Sequence, residues 1–360
     1  GLSEHIVVRR GVEFLLASVR EDGSWPIDTN LATWNTSQAL TALELGTDDE
    51  DHSDSYAWLL DCQYQERHPL TGAAAGGWAW TNLSGGWPDA DDTAAALIAL
   101  ATRYRSCPED NLAEIKRAAR LGMHWLLELQ NKDGGWPTFC RGWGRLPFDR
   151  SSCDISAHVL HALHDWRDLL NIDTTNVQFA SRLEVAQKLG LKFLGAKQQA
   201  DGSWNPLWFG NQHHPDEINP VYGTAKVLLM CDALRLDKEK MTQRGLRWMV
   251  SAQRADGGWG PVDGSSENDM AISTVEETAL AVEALIPYRK HSVDLSKSLD
   301  LGILWLIEAV ECNRWKEPAP IGFYFAKLWY YERLYPQIFA TRALARACKA
   351  LRAVAVGAVC

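Results

Sequence analysis

The hydrophobic positions of this chain follow a helical period almost throughout, and two kinds of helical run alternate. Amphipathic runs such as GMHWLLEL and GLRWMVSA come first. Each is followed by a run rich in Ala and Leu, which favour helices. The second runs are TSQALTAL, DTAAALIAL, ISAHVLHAL, GTAKVLLMCDAL, VEETALAVEAL and IFATRALARA. The pattern therefore predicts six pairs of helices and an all-α protein.

A short motif links the two helices of each pair. QNKDGGW, QQADGSW, QRADGGW and REDGSW are clear copies of it, and two degenerate copies complete the set. Its glycine permits a tight turn, its aspartate can cap the turn, and Gln and Trp can bridge neighbouring units. Six such repeats predict a single domain over residues 1–360, an (α/α)6 barrel with the Ala/Leu-rich helices inside.

Composition and charge exclude several classes of protein. The net charge of −10 gives no basic face for nucleic acid. Eight cysteines without paired spacing suit free thiols in a reducing compartment. No segment approaches the roughly 18 to 20 apolar residues of a membrane span, and the first residues lack a signal-peptide pattern. We therefore expect a cytoplasmic protein, and a peripheral membrane contact stays open.

The chemistry concentrates where the second inner helix begins, in the run PDADDTA. Asp89, Asp91 and Asp92 put three carboxyl groups in four residues. One aspartate at a helix start is an ordinary cap and a second can favour the helix dipole, so capping is the alternative explanation. Crowded carboxyl groups in an apolar barrel cannot all ionise, so at least one is expected to keep its proton. Such a proton can be delivered to a weak base if a nearby donor or cation stabilises the aspartate left behind.

The next inner helix supplies a candidate for that donor. Asp154 and His158 are four residues apart and so share one helix face. We expect a histidinium at His158 to hydrogen bond to Asp91. The alternative is a histidine that only satisfies the packing of the barrel.

The segments GGWAW, PDADDTA and CDISAHVL, together with the Gln–Trp repeats, resemble the squalene-hopene cyclases and related class II terpene cyclases. The resemblance runs through almost the whole chain. It implies that Asp91 is the proton donor, that Asp89 and Asp92 are its flanking aspartates, and that His158 and Asp154 activate it. It also implies an isomerase that protonates a terminal alkene of a linear isoprenoid, squalene or a squalene-like polyprene, and needs no cofactor.

The same resemblance implies a set of aromatic residues that shelter carbocations by cation–π attraction. For each of them, ordinary core packing is the alternative. These residues are Trp34, Trp80, Phe139, Phe148, Trp208, Tyr222, Tyr324 and Tyr331.

The chain also departs from the two-domain squalene-hopene cyclases, because only the aspartate-bearing domain is recognisable. The predicted partners are therefore the isoprenoid, a second helical domain or another copy of the chain. The three arginines of 141–150 keep a prenyl diphosphate open as substrate, which would bring Mg²⁺ with it. No catalytic metal is expected from His213, His214, Asp216 and Glu217 in the loop GNQHHPDEINP.

Two other functions stay open at this point. One is a non-catalytic barrel that binds an isoprenoid or docks on a second domain. The other is a protein prenyltransferase subunit, which needs a zinc site of Asp, Cys and His, and Cys153, Asp154 and His158 are the nearest candidates for it.

Overall fold

The computed structural model describes most of the chain as two compact units, Gly1–Leu31 and Ala32–Cys360. The smaller unit contains helix α1 (Ile6–Ala17), none of whose residues is buried. There Trp25 Nε1 donates a hydrogen bond to Leu15 O at 2.8 Å. The residues described are 4–19, 21–25, 30–46, 51–83, 85–106, 112–139, 149–207, 209–261, 273–317, 321–323, 328–330 and 332–357.

Six helices of the larger unit form a closed ring. They are α2 (Ala32–Gly46), α4 (Ala90–Ser106), α6 (Cys153–Leu169), α9 (Pro220–Ala233), α11 (Val275–Leu285) and α13 (Leu334–Gly357). Each contacts the next in this order, and α13 returns to contact α2. These are the Ala/Leu-rich runs, so the predicted all-α (α/α)6 barrel is confirmed, including its closure. The prediction of one domain over 1–360 without a companion domain stays a prediction.

Five helices pack outside this ring in the larger unit, as far as the structure describes it. They are α3 (Ser53–Asp61), α5 (Leu112–Leu129), α8 (Val177–Lys197), α10 (Lys240–Ser251) and α12 (Val293–Glu311). They contact α2, α4, α6, α9 and α11 respectively. A one-turn helix, α7 (Ile172–Thr175), precedes α8. Within the described residues, no helix combines the length and apolar content that crossing a lipid bilayer requires.

A small antiparallel sheet lies outside the helical pattern. Its strands are β1 (Phe209–Gly210), β2 (Ile321–Phe323) and β3 (Leu328–Tyr330), in the order β1–β2–β3, with Phe209 opposite Phe323. The sequence analysis missed this sheet because strands of two or three residues are too short to carry an alternating pattern.

The Gln–Trp motif connects neighbouring units as predicted. Gln198 Nε2 donates to Gly202 O in its own turn and to Met241 O in the next outer helix, both at 2.9 Å. The Gly202 backbone has φ +108°, a conformation that glycine adopts without strain. Trp204 Nε1 donates to Leu194 O at 2.8 Å. The same pairs of bonds recur in the turns that end at Trp78, Trp136 and Trp259.

Each of these indole rings packs against a glycine of the next outer helix. A Cβ atom on Gly245 would lie 2.8 Å from the Trp204 ring, and one on Gly302 would lie 2.6 Å from the Trp259 ring. The missing side chain therefore admits the ring, and the motif acts as a structural link between units.

Replacing Gln198 with Ala is expected to lower the free energy of unfolding by about 2 kcal/mol, because two part-buried carbonyl oxygens lose their donor. Urea unfolding monitored by circular dichroism measures this change. The matched control is Gln199→Ala, since the Gln199 side chain reaches only Lys197 O at 3.4 Å in an exposed position. Equal losses in the two variants would contradict the linking role of Gln198.

The inner helices are held in one register by hydroxyl groups. The backbone N–H of Trp78, Trp136, Trp204 and Trp259 donates to Thr93, Ser156, Thr224 and Thr278, at 2.8 to 3.0 Å. Residues two positions before these hydroxyls therefore occupy equivalent places on four helices. Those residues are Asp91, Asp154, Tyr222 and Glu276.

On the inner helices, the residues that follow these equivalent positions by four or by seven meet in the barrel interior. They line a cavity of about 40 Å³, here called the lower cavity. Its lining includes Gln38 and Thr41, Ala95 and Ile98, His158 and His161, Lys226 and Leu229, and Glu283. Each of these lining residues is preceded, four or seven positions earlier on its helix, by one of five residues here called the upper ring. The upper ring consists of Trp34, Asp91, Asp154, Tyr222 and Glu276. The spacing indicates that the upper ring faces the same interior, one turn above the lower cavity.

Candidate active site

Two of the three clustered aspartates at the start of α4 are deeply buried. Asp89 precedes the helix, and its Oδ1 accepts the Asp92 N–H at 2.8 Å, which is the geometry of an N-cap. Burial raises the pKa of Asp89 to about 7. Burial also raises the pKa of Asp92, and the charge of Asp89 adds to this effect. The cluster is therefore an environment that retains protons near neutral pH, as expected for crowded carboxyl groups.

Asp91 and His158 are in direct contact. His158 Nδ1 lies 2.6 Å from Asp91 Oδ1. The Asp91 side chain keeps 13% of its surface exposed, and its Oδ2 has no hydrogen-bond partner among the described residues. Asp91 therefore has one oxygen in contact with the histidine, and its other oxygen is not engaged by the described residues.

Asp154 lies beside this pair, one turn before His158 on α6. It is buried, and the Ser152 hydroxyl donates a hydrogen bond to its Oδ1. Burial, followed by the charge of Asp91, raises the pKa of Asp154 to about 6. The structure thus brings Asp91, Asp154 and His158 together, in agreement with the spacing argument.

The charge of His158 differs from the sequence expectation. Burial lowers the pKa of His158 to about 4, and the positive charge of Lys226 adds to the effect, while Asp91 opposes it. At neutral pH the ring is therefore a neutral imidazole, and a histidinium is not the resting state. A neutral ring can still donate Nδ1–H to the carboxylate that Asp91 becomes after losing a proton.

Lys226 is a buried cation that the sequence analysis did not single out. It lies one turn after Tyr222 on α9 and lines the lower cavity with His158. Burial lowers its pKa, whereas the negative charges of Asp91, Glu283 and Asp154 raise it. Its Nζ is 5.8 Å from the centre of the Trp34 ring and 5.4 Å from that of Tyr222. The charge that Trp34 and Tyr222 contact in this structure is therefore the lysine ammonium.

The predicted aromatic residues fall into two groups. Trp80 and Phe139 pack together with ring centres 5.7 Å apart, and Trp87, which was not predicted, completes their cluster. Trp34 and Tyr222 are bridged by Phe209 of β1, with ring centres at 6.3 and 4.5 Å. Trp87 was missed because it lies in a loop without a helical period, and Phe209 because it lies in a strand of only two residues. Phe148, Trp208, Tyr324 and Tyr331 lie outside the described residues.

The loop after β1 does not gather metal ligands. Its contacts include the Asp216 N–H donating to His214 Nδ1 at 3.1 Å and the Asn211 side chain donating to Glu277 Oε1 at 3.1 Å. Nowhere in the described part of the chain do three His, Cys, Asp or Glu side chains converge as metal ligands would. Burial raises the pKa of Cys153 to about 12, which disfavours the thiolate that a zinc site needs.

The predicted arginine loop is described only at its end. Arg150 lines a surface pocket of about 550 Å³ with Lys132 and Lys197, and Asp133 and Asp149 lie there too. Positive and negative side chains are therefore mixed in this pocket. The remaining arginines of 141–148 lie outside the described residues.

The Asp154→Asn variant is expected to gain stability relative to the unaltered chain as the pH rises from 4 to 6. The folded state binds a proton at Asp154 up to about pH 6, whereas the unfolded state releases it near pH 4. Ionisation of Asp154 therefore destabilises the folded state by about 3 kcal/mol at pH 7, and asparagine avoids this loss because it does not ionise. Thermal unfolding of both proteins between pH 4 and 7 measures the difference. Parallel stability curves would contradict the raised pKa.

The fold and the buried acidic site belong to the terpene cyclase class of helical barrels. The family model of the squalene-hopene cyclase C-terminal domain matches residues 30–349. The chain therefore belongs to this family, and the resemblance noted from the sequence is confirmed.

Individual relatives agree with this assignment. Enfumafungin synthase efuA of Hormonema carpetanum is 28% identical over 354 residues, which cover 90% of this chain and 25% of that protein. The squalene–hopene cyclase of Zymomonas mobilis is 26% identical over 378 residues, which cover 95% of this chain and 53% of that protein. The chain thus spans between a quarter and about half the length of these relatives.

A solved structure shares the fold. The type II terpene cyclase MstE from Scytonema superimposes with a TM-score of 0.58 at 16% identity, covering 95% of this chain and 97% of that one. At this identity the likeness concerns the fold alone.

Proposed function

We propose that this chain is a class II terpene cyclase, an isomerase that begins catalysis by protonating a terminal alkene of a linear isoprenoid. The observation that carries the proposal is the contact between Asp91 and His158 within a set of buried carboxyl groups. Family membership and the aromatic side chains around the upper ring support it.

The first step transfers a proton from Asp91 Oδ2 to the alkene. The O–H bond breaks, a C–H bond forms at the terminal alkene carbon with the two π electrons, and a tertiary cation remains on the neighbouring carbon. His158 Nδ1–H donates to Oδ1 of the aspartate, and the positive charge of Lys226 stabilises it further. Both effects stabilise the aspartate that remains after proton transfer.

Later steps need shape and exclusion of water more than further side-chain chemistry. Internal alkenes attack the cation in turn, and each attack forms one ring bond and moves the charge along the chain. The barrel holds the chain in a folded conformation, so orientation supplies a large share of the rate. Loss of a proton or addition of water ends the sequence, and no redox cofactor takes part in it.

The substrate that we propose first is squalene or a squalene-like polyprene. The hopene cyclases among the relatives support this choice. The alternative is a farnesyl or geranylgeranyl diphosphate, for which Mg²⁺ would accompany the diphosphate. A third class is suggested by MstE, for which one structure contains geranylgeranyl dihydroxybenzoate as substrate.

A second candidate function is an isoprenoid-binding barrel that acts only beside a second helical domain or another copy of the chain. The observation that favours it is the length of the relatives, of which this chain spans between a quarter and about half. Contact with a membrane surface, from which a water-insoluble isoprenoid would enter, also stays a proposal.

The experiment that tests the proposed function offers the purified chain squalene, farnesyl diphosphate and geranylgeranyl diphosphate separately, with and without Mg²⁺. Products are extracted, treated with phosphatase and analysed by gas chromatography and mass spectrometry. A cyclic product supports catalysis by this chain and identifies the substrate class. Binding without any product would favour the second candidate function.

A further inference from the structure

Glu276 occupies the same place on α11 that Asp91 occupies on α4. Thr278 accepts the Trp259 N–H at 2.9 Å, just as Thr93 accepts the Trp78 N–H at 2.9 Å. Glu276 and Asp91 each precede their hydroxyl by two residues. The repeat therefore carries a third carboxyl group into the upper ring, in addition to those of Asp91 and Asp154.

The position of Glu283 indicates the direction in which Glu276 points. Glu283 follows Glu276 by seven residues, which is two helical turns, so the two side chains share one face of α11. Glu283 lines the lower cavity and forms an ion pair with Arg342 at 2.8 Å. Glu276 therefore faces the barrel interior, at the level of Asp91.

Glu276 is buried, and one of its two carboxyl oxygens lacks a hydrogen bond within the described part of the chain. Its relative exposure is 6%, and Oε1 has no hydrogen-bond partner among the residues that the structure describes. Burial and the charges of Glu277 and Glu332 raise the pKa of Glu276 well above its usual range, which favours the protonated carboxyl group. The adjacent Glu277 differs, because it accepts hydrogen bonds from Asn211 Nδ2 and the Thr274 hydroxyl.

An unpaired buried carboxyl group destabilises a protein, so its presence on the inner face of the barrel requires a reason. A pure hydrocarbon offers it no hydrogen bond. An uncharged hydroxyl or carbonyl oxygen on the ligand can form a hydrogen bond with Glu276, because a protonated carboxyl group both donates and accepts. A diphosphate fits less well, because a buried carboxyl group offers it no positive charge.

Glu276 and Asp91 lie on opposite sides of the ring of inner helices. In the closed ring α4 and α11 are opposite each other, and neighbouring helix axes about 9 Å apart give roughly 18 Å across a six-helix ring. A linear substrate whose terminal alkene contacts Asp91 can therefore direct its other end toward Glu276.

We propose that Glu276 is a substrate-binding residue that hydrogen bonds to an uncharged oxygen, a hydroxyl or carbonyl group, at the end of the isoprenoid away from Asp91. The proposal rests on the proposed function in taking the ligand to be an isoprenoid. It changes the order of substrates proposed above: oxygen-bearing polyprenes come first, ahead of the hydrocarbon squalene and of the diphosphates.

The test measures binding in the Asp91→Asn background, where proton transfer to the alkene is blocked. The probes are geranylgeraniol, the same C20 chain with hydrogen in place of the hydroxyl group, and geranylgeranyl diphosphate. Binding is followed by quenching of tryptophan fluorescence. We expect the alcohol to bind at least tenfold more tightly than the hydrocarbon and more tightly than the diphosphate.

Variants of Glu276 then show whether this residue causes the preference for the alcohol over the hydrocarbon. Glu276→Leu is expected to remove it while leaving hydrocarbon binding and the melting temperature unchanged or higher. Glu276→Gln, which still donates and accepts, should keep most of the preference, and the control Glu277→Gln should keep all of it. The proposal would be overturned if the parent showed no preference for the alcohol or if Glu276→Leu kept that preference. Tighter binding of the diphosphate than of the alcohol would overturn it as well.

A separate assay with Asp91 intact distinguishes this proposal from the proposed function. The expected binding pattern without any cyclic product would count against cyclisation by this chain and still support Glu276 as a binding residue. A cyclic product without the binding pattern would support cyclisation and overturn the role of Glu276.

Discussion

The Asp91→Asn variant is expected to fold normally and to cyclise its substrate roughly 10³-fold more slowly than the unaltered chain, because an amide has no acidic proton to give the alkene. Asparagine has nearly the same shape as aspartate, so the contact with His158 can persist. The measurement is the initial rate of cyclic product formation, with circular dichroism and thermal unfolding as checks on the fold.

Asp89→Asn is the matched control for this change. Asp89 is two residues away and is more deeply buried, but its Oδ1 accepts the Asp92 N–H as an N-cap. Asparagine caps helices about as well as aspartate, so the loss of rate should stay below about tenfold. Similar losses in both variants would mean that the acidic cluster acts as a whole, and full activity in Asp91→Asn would assign the proton to another residue.

The sequence alone predicts the barrel because each repeat carries its own local signals. The Gln–Trp turns, the helical period and the Ala/Leu-rich runs are all short-range features, and the six-unit ring follows from their repetition. The pairing of Asp91 with His158 across α4 and α6 was also expected, since neighbouring units bring equivalent helix starts together. The small sheet of β1 to β3 had no such signal.

The electrostatics of the site could not be predicted in the same way. A lysine in a helical run is usually exposed, so Lys226 gave no reason to expect a buried cation beside Asp91. Its effect on His158 depends on the distance across α6 and α9, which only the folded structure provides. Glu276 was missed for a related reason, because its equivalence to Asp91 depends on the hydrogen bonds of Thr278 and Thr93.

The role of Lys226 gives the second large prediction. Lys226→Met is expected to lower the cyclisation rate roughly 10²-fold with little change in KM, because the aspartate formed in the first step loses a stabilising charge. Methionine has a similar length and preserves the packing against Trp34 and Tyr222. Lys226→Arg keeps the charge and should recover part of the rate.

A purely structural role for Lys226 would leave the titration of His158 unchanged, so the pKa of His158 distinguishes the two explanations. Burial is the larger cause of the low pKa and the lysine charge lowers it further, so removal of the charge should raise the pKa above about 4, as followed by NMR of the histidine ring. The control is Arg346→Met, which removes another cation of the lower cavity that pairs with Glu283 at 3.2 Å. If the His158 pKa stays near 4 in Lys226→Met while the rate falls, the lysine acts through packing and the electrostatic account of Asp91 is wrong. A raised pKa of His158 together with a lower rate and an unchanged KM would mean that Lys226, and not a histidinium, is the cation that stabilises the aspartate left after proton transfer.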